Sequence, residues 1–298
     1  MHIVVGGASG FLGRSLVARL RDQGHRVTRL ERSDSPGDDA SSWDPAAGRI
    51  DQGLINDADA VVNLSGAAIS RWPWSAAYRR ELLDSRLGAT STIATAVAAA
   101  TRPPALVSAS GMSVYGADRG DELLDESAGP GAGFLADVCR RWEAAAAPAV
   151  EAGSRVSFVR TSMVMHRDGG TLRLMLPAWK AGLGATLSSG SQYFSIISRD
   201  DWVRGVEFLL TTPAVSGAFN FANPSPVTNA EFTKALASAV HRPSLLRAPR
   251  FAMRLVLGRL ADELLGSLRL RPAALTAAGF AFEHPDLEST LAAALRKP

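Results

Sequence analysis

Three glycines near the start of the chain, Gly7, Gly10 and Gly13, are spaced three residues apart in VVGGASGFLGRSLVARLRDQG. An apolar run typical of a strand precedes them, and a segment with helical spacing of apolar residues follows as far as Gly24. Gly7 allows a tight turn from strand to helix, Gly10 lets backbone approach a pyrophosphate, and Gly13 lets the helix pack closely on the strand. The start of a helix also favours phosphate groups through its free N–H groups and its dipole. The pattern predicts a dinucleotide-binding loop.

The loop and the second predicted strand contain further candidates for cofactor contacts. In the loop these are Ser9, Phe11, Leu12 and Arg14. The second strand, HRVTRL, leads into Glu31 and Arg32, where a dinucleotide fold reads the adenosine ribose. An arginine there pairs with the 2′-phosphate of NADP, an acid favours the 2′-hydroxyl of NAD, and either can be a solvated surface charge. Since Arg14 adds a second cation, the sequence favours NADP(H) over NAD(H), and NAD(H) stays an alternative.

The elements that position this loop alternate between strand-like and helical segments. Strand-like runs rich in Val, Ile and Leu are HIVVGG, HRVTRL, DADAVVNLSG, PALVSAS and RVSFVRT. Helical segments begin near residues 12, 76 and 134. The alternation predicts an α/β fold of the Rossmann type: a doubly wound parallel sheet in a domain of residues 1–165, completed by later strands near 193–222.

The regular alternation of strand-like and helical segments ends near residue 165. Thr228 and Glu231 form a capping box, TNAE, in front of a helix that runs toward Val240. The tail from 248 to 298 has mostly helical spacing, interrupted by Pro272 and Pro285. We therefore expect residues 166–298 to form a smaller, mainly helical lobe that contributes to substrate binding.

The composition argues against several classes of protein. The 298 residues are 46% hydrophobic, and no apolar run reaches the roughly 18 residues of a membrane span. The five histidines are scattered and there is one cysteine, so we expect no metal site. The net charge is only +3, and the arginines alternate with acids, which argues against nucleic-acid binding. The single cysteine and the absence of a signal-peptide pattern predict a cytoplasmic protein.

Several motifs together resemble the extended or atypical short-chain dehydrogenase/reductases. The closer resemblance is to the NAD-dependent epimerase/dehydratase subfamily with a helical C-terminal domain of unknown function. Besides the glycine loop, the motifs are SSWDP, DADAVVNLSG, the DSR of residues 84–86, SASGMSVYG, FLADVCRRWE, VRTSMVMHRDGG, GLGATLSSGSQ and NFANPSPVTNAEF. The resemblance spans essentially the whole chain.

The resemblance implies further positions for the cofactor. Asp44 matches the acid after the third strand that caps the adenine. Leu64, Ser65 and Gly66 match the turn after the fourth strand, which faces the glycine loop. Thr161 and Ser162 match the loop near the nicotinamide amide. The alternative is that Asp44 caps a helix and the others are ordinary turn residues. The resemblance implies an NADP(H)-dependent oxidoreductase or an enzyme like the nucleoside-diphosphate-sugar epimerases.

The residues with which the wider family performs catalysis are incomplete in this chain. That family uses a serine or threonine, a tyrosine as general acid–base, and a lysine four residues later that lowers the pKa of the tyrosine. No tyrosine of this chain has a lysine four residues on. Alignment through Glu143 places Leu135 at the tyrosine position and Cys139 at the lysine position, and a shift of one residue also leaves the pair absent.

Two polar residues remain as candidates for catalysis. Ser110 lies one residue from the usual serine or threonine position, and Tyr115 follows just past the end of the same strand. The alternative is that Tyr115 packs beneath the active-site loop and Ser110 caps a turn.

The function also has an alternative, a non-catalytic NADP(H)-binding sensor or regulatory module, which loss of the pair with retention of the loop would predict. The substrate is a small molecule that the sequence does not identify. The long helices at 76–100 and 134–147 have alanine-rich exposed faces that permit a homodimer.

Overall fold

The computed structural model describes residues 1–71, 73–258, 261 and 265–296. The strands are β1 (His2–Gly6), β2 (Arg26–Glu31), β3 (Ala40–Ser42), β4 (Ala60–Asn63), β5 (Ala105–Gly111), β6 (Leu123–Leu124), β7 (Val156–Thr161), β8 (Met163–Met165), β9 (Ala185–Leu187), β10 (Ile196–Ser198), β11 (Gly217–Phe221), β12 (Leu246–Ala248) and β13 (Arg269–Leu270). The helices are α1 (Phe11–Asp22), α2 (Gln52–Asn56), α3 (Ala76–Ala98), α4 (Phe134–Ala144), α5 (Ala147–Glu151), α6 (Gly170–Lys180), α7 (Arg199–Thr211), α8 (Asn229–Ala239), α9 (Arg250–Leu257), α10 (Ala273–Ala277) and α11 (Leu287–Leu295).

Seven strands form one parallel sheet in the order β11-β7-β5-β4-β1-β2-β3. The chain moves outward from β1 to β2 and β3 in one direction, and from β4 onward in the other. The order therefore reverses between β1 and β4, where an open α/β sheet has its crevice at the carboxyl ends of the strands. This is the Rossmann-type α/β fold that the sequence predicts.

The central strands are buried along their whole length. All five residues of β1 and all four of β4 are buried. Continuous apolar runs of this kind are typical of parallel strands with helices on both faces. The predicted strands and the helices beginning near residues 12, 76 and 134 are confirmed as β1, β2, β4, β5, β7, α1, α3 and α4.

The chain divides into two compact units, each assembled from several segments. Unit 1 contains residues 1–110, 137–159 and 203–218, and unit 2 contains 111–136, 160–202 and the chain from Phe219 onward. In unit 2, Phe194, Phe232 and Leu291 belong to one apolar core. The capping box of Thr228 and Glu231 is present at the start of α8. The predicted boundary at residue 165 divides the chain once along its sequence, whereas each of these units combines several segments. That boundary stays a prediction.

The predicted helical tail, residues 248–298, is described only in part. Helices α9, α10 and α11 lie in it, whereas residues 259–260, 262–264 and 297–298 lie outside the described residues. Among the helices that are described, none is both long and apolar enough to cross a membrane. In the described part of the chain, no group of three or more His, Cys, Asp or Glu residues could hold a metal ion.

Candidate functional site

The glycine loop joins β1 to α1 with very little space around its backbone. Gly7 has a φ of +78°, and a Cβ there would lie 2.6–2.9 Å from backbone atoms of Leu64 and Ser65. A Cβ on Gly13 would lie 2.3 Å from the Gly7 carbonyl oxygen and 2.8 Å from Ala8 Cα. The two glycines therefore allow the turn itself, its close approach to the end of β4, and the packing of α1 on the turn.

The start of α1 is arranged to stabilise an anion. Gly10 precedes the helix in an extended conformation, no side chain caps the helix end, and its first turn contains no acid. Arg14, on that first turn, donates a hydrogen bond from Nη1 to the Ser9 carbonyl oxygen at 2.6 Å. Phe11 and Leu12 are half-buried beside it. The helix dipole and the nearby guanidinium both favour negative charge at this end.

The turn after β4 contains an unsatisfied hydroxyl. The Ser65 N–H donates to Asn63 Oδ1 at 3.1 Å, which fixes the turn. The Ser65 Oγ is buried and has no hydrogen-bond partner among the described residues. Buried polar atoms in native proteins are normally paired. Together with the close fit of Gly7 against the turn, this hydroxyl is consistent with a polar ligand at the switch point of the sheet.

The end of β2 brings acidic and basic side chains together, and the structure shows how they pair. The Glu31 carboxylate pairs with Arg29 Nη1 at 2.7 Å, and Arg29 Nη2 also pairs with Asp39 at 2.5 Å, so Glu31 shares this counter-charge with a second acid. Arg32 is exposed and makes no ion pair with any described residue. It lines a cleft of about 380 Å³ whose other charged residues are Asp34, Asp44 and Arg49, the last two paired with each other. The cleft therefore offers a guanidinium to an anionic group.

Asp44 is held by its own turn. Its Oδ1 accepts hydrogen bonds from the N–H groups of Ala46 and Ala47 at 3.0 and 3.2 Å, and its Oδ2 pairs with Arg49 at 2.6 Å. No helix begins at Asp44, because residues 45–48 form a turn closed by the bridge between Asp44 and Arg49, so the alternative of a helix cap is wrong and Asp44 stabilises a turn instead. A contact of Asp44 with adenine stays a prediction, and its place in the same cleft as Arg32 is compatible with one.

Thr161 and Ser162 belong to unit 2 and are engaged in hydrogen bonds within that unit. Thr161 Oγ1 accepts from Trp202 Nε1 at 3.1 Å, and Ser162 Oγ donates to the Phe221 carbonyl oxygen at 2.7 Å. Both bonds connect β7 and the residue after it to neighbouring elements. A contact of either residue with nicotinamide stays a prediction.

Ser110 lies near the end of β5 and is paired with a carboxylate. Its Oγ is buried and donates to Glu143 Oε1 at 2.7 Å, whereas Glu143 is half-buried on α4. Because the hydroxyl proton is directed to Glu143, the lone pairs of Ser110 Oγ are available to accept from another hydroxyl. In the sequence analysis, Glu143 was used only as the reference position for matching this helix to the family pattern. Its partnership with Ser110 depends on tertiary packing.

Tyr115 has no exposed surface and belongs to a polar network in unit 2. Its hydroxyl donates to Asn220 Oδ1 at 2.8 Å and accepts from Arg160 Nη1 at 2.9 Å. Burial raises the pKa of the phenol above its ordinary value, although Arg160 opposes this shift. The environment is that of the packing alternative, and it offers no support for Tyr115 as a proton donor to substrate.

At the positions of the missing tyrosine and lysine, helix α4 carries Leu135 and Cys139, and both are buried. A cation from α3 nevertheless packs on α4. The guanidinium of Arg86 lies over the Trp142 ring, 4.9 Å from its centroid. Sequence reasoning assigned no role to Arg86. The available signal was a charged residue four positions after Leu82, on the buried face of α3.

A doubly wound sheet with a glycine loop at its switch point defines a nucleotide-binding α/β protein of the Rossmann type. The chain belongs to the NAD dependent epimerase/dehydratase family, which residues 3–220 match. Residues 248–294 match a domain of unknown function, DUF1731. Both findings agree with the family that the sequence motifs resemble.

Relatives of this chain are similar to it over nearly its whole length. The chain is 42% identical over 297 residues to "Epimerase family protein Mb2239" of Mycobacterium bovis, covering 99% of this chain and 98% of the relative. It is 36% identical over 296 residues to "Epimerase family protein SDR39U1" of Bos taurus, covering 98% of both.

Two solved structures are similar to this fold. The crystal structure of human epimerase family protein SDR39U1 (isoform 2) with NADPH superposes with a TM-score of 0.90, at 32% identity over 98% of both chains. The nucleoside-diphosphate sugar epimerase of Corynebacterium glutamicum has a TM-score of 0.82 at 32% identity, covering 99% of this chain and 58% of that one.

Proposed function

We propose that this chain is an NADP(H)-dependent enzyme of the oxidoreductase or nucleoside-diphosphate-sugar-epimerase type. The observation that carries the proposal is the end of β2, where Glu31 is paired with Arg29 whereas Arg32 makes no ion pair with any described residue and lines the cleft. The human relative, 32% identical, was solved with NADPH, which supports the same cofactor.

The residues of unit 1 fit this cofactor. The helix end after Gly10 would hold the pyrophosphate, Ser65 Oγ would gain a polar partner, and Arg32 would pair with the 2′-phosphate. When bound, the nicotinamide supplies a reversible two-electron acceptor or donor for a substrate carbon.

A proton route that needs no Tyr–Lys pair is available from Ser110 and Glu143. In the oxidising direction, the proton of a substrate hydroxyl passes to Ser110 Oγ while the proton of Ser110 passes to Glu143 Oε1, which lies 2.7 Å away. In the reducing direction the same protons move back. Glu143 is thus the group that holds the proton, and Ser110 is the group that contacts the substrate.

The experiment that tests this function combines cofactor binding with turnover. NADPH and NADH are titrated against the protein, and a panel of carbonyl compounds, alcohols and nucleotide sugars is screened with the preferred cofactor. For any substrate converted, Glu143→Gln should lower turnover by about 100-fold, the usual range of general acid–base catalysis, with NADPH affinity unchanged. Glu151→Gln, at an exposed position on α5, is the matched control. Unchanged turnover in Glu143→Gln would remove the proton route.

The second candidate function is a non-catalytic NADP(H)-binding sensor or regulatory module. It is favoured by the apolar Leu135 at the tyrosine position and by the complete burial of Tyr115. A protein that binds NADPH tightly and converts no member of the panel would support this candidate over the enzyme.

A further inference from the structure

The segment from Leu245 to Leu255 carries the three most exposed large apolar side chains among the described residues. Leu245, Phe251 and Leu255 are 88%, 76% and 86% exposed. Phe251 and Leu255 lie four positions apart on α9, which places them on the same face of that helix. Single exposed apolar residues are common, whereas a group of large ones marks a surface that another molecule covers.

Strand β12 fixes this segment to the rest of unit 2. Its residues pair in parallel with those of β9, and the Ser188 N–H donates to the Ala248 carbonyl oxygen at 2.9 Å. Leu183 precedes β9 and Leu245 precedes β12, so these two exposed side chains lie at the same end of the two-stranded sheet. We call the exposed side chains of this region the apolar surface: Leu183, Leu245, Leu246, Phe251 and Leu255.

The chain around the apolar surface is basic and contains no acid. Residues 232–261 include five arginines, one lysine and no Asp or Glu. Residues 169–199, which contain α6 and β9, include two arginines and one lysine, again without an acid. Arg242, Arg247 and Arg250 are exposed. Because the whole chain has a net charge of only +3, its unbalanced positive charge is concentrated in these two stretches.

Large apolar side chains bordered by arginines match the surface of a bilayer that contains anionic lipids. The apolar tips enter the boundary of the acyl chains, while the guanidinium groups stay at the level of the phosphates. A second copy of this chain fits less well, because a twofold contact would place like charges opposite each other. A nucleic acid would use the arginines but leave the apolar side chains in water.

We propose that the apolar surface binds membranes rich in anionic phospholipids, with Phe251 and Leu255 inserted below the headgroups and Arg247 and Arg250 at the phosphates. The contact lies in the plane of the interface, since no described helix is both long and apolar enough to cross a membrane. The inference is independent of the proposed cofactor, whose glycine loop belongs to unit 1.

Sedimentation with lipid vesicles of two compositions tests this contact. One kind contains phosphatidylcholine alone, and the other contains equal parts of phosphatidylcholine and phosphatidylglycerol. We expect the wild type to bind the mixed vesicles at least about 10-fold more tightly than the neutral ones. High salt should weaken binding to the mixed vesicles, because it screens the attraction between the arginines and the phosphates.

Two variants separate the apolar and the charged parts of the surface. Leu255→Ser should lower the partition coefficient on mixed vesicles by about 10-fold or more, because it removes an inserted apolar side chain. Arg247→Gln should lower it by about five-fold on mixed vesicles and leave binding to neutral vesicles unchanged. The matched controls are Val150→Ser and Arg80→Gln, at exposed positions of unit 1, which should bind as the wild type does.

Three outcomes would overturn the proposal. The first is a folded wild type that binds neither kind of vesicle, or both kinds equally. The second is a pair of variants, shown by circular dichroism to be folded, that bind no more weakly than their controls. The third is a wild type that ignores vesicles and instead forms a dimer that Leu255→Ser abolishes, which would make the apolar surface an interface between copies of this chain.

Discussion

Arg29 and Glu31 lie two residues apart on β2, and the period of a strand places their side chains on the same face. Their 2.7 Å ion pair weakens the repulsion that Glu31 would otherwise exert on a 2′-phosphate, although Arg29 also pairs with Asp39 at 2.5 Å. The sequence left NADP and NAD open because it treated Glu31 and Arg32 as adjacent opposite charges. The strand period already contained the pairing, since Arg29 and not Arg32 lies on the same face as Glu31, and the choice of NADP over NAD stays part of the proposal.

The buried hydroxyl of Tyr115 leads to a prediction about stability rather than about catalysis. Tyr115→Phe removes the hydroxyl between Asn220 and Arg160 and leaves buried polar groups without that partner. We expect it to lower the free energy of unfolding by about 1–3 kcal/mol. NADPH affinity should stay unchanged. Urea denaturation and a cofactor titration measure the two quantities. Lost turnover at unchanged stability would show that Tyr115 takes part in the reaction.

At the scale of elements, the packing of α1 on β1 and the glycine loop depends on close contacts between backbone atoms. In Gly13→Ala the new Cβ would meet the Gly7 carbonyl oxygen at 2.3 Å, and a backbone atom cannot move aside as a flexible side chain can. We expect a loss of about 1–3 kcal/mol of stability, as for other overpacked sites, together with weaker NADPH binding.

Gly129→Ala is the matched control, because a Cβ there meets no atom within 4 Å. Thermal unfolding and NADPH titration of both variants check the prediction. A Gly13→Ala protein with the stability and affinity of the control would mean that α1 does not need its close packing on the turn.

Elements were predicted well where the local pattern determines them. Buried apolar runs gave β1, β4 and β5, and the capping box gave α8. The local pattern did not reveal β3, whose three residues are half-buried or exposed and carry no apolar alternation, and only the family resemblance implied a third strand before Asp44. It also could not reveal pairs such as Ser110 with Glu143, because the two residues are 33 positions apart and meet only through packing.

At the scale of the whole molecule, one surface cluster predicts how stability depends on acid. Hydrogen bonds from Arg29 and then Arg21 lower the pKa of Asp39 from its ordinary value of 3.8 to about 2. Because the folded pKa lies below the unfolded one, this carboxylate contributes stability that is present above about pH 4 and lost as pH falls toward 2. Asp39→Asn should therefore flatten the decline of stability in that window.

Unfolding by urea between pH 5 and pH 2 measures this effect, with Asp38→Asn, at the neighbouring exposed residue, as the control. An unchanged acid slope in Asp39→Asn would mean that the cluster does not persist in solution.

A homodimer and a cytoplasmic location stay predictions from the sequence. Sedimentation of the purified protein tests whether it forms a homodimer.

The central claim is that the chain binds NADP(H) and reads its 2′-phosphate with Arg32. Its most direct test is calorimetric titration of NADPH and NADH into the wild type and Arg32→Ala. We expect the wild type to prefer NADPH, and Arg32→Ala to lose about 10-fold or more in NADPH affinity, with NADH affinity nearly unchanged. Equal losses for both cofactors, or a wild type that prefers NADH, would contradict the account.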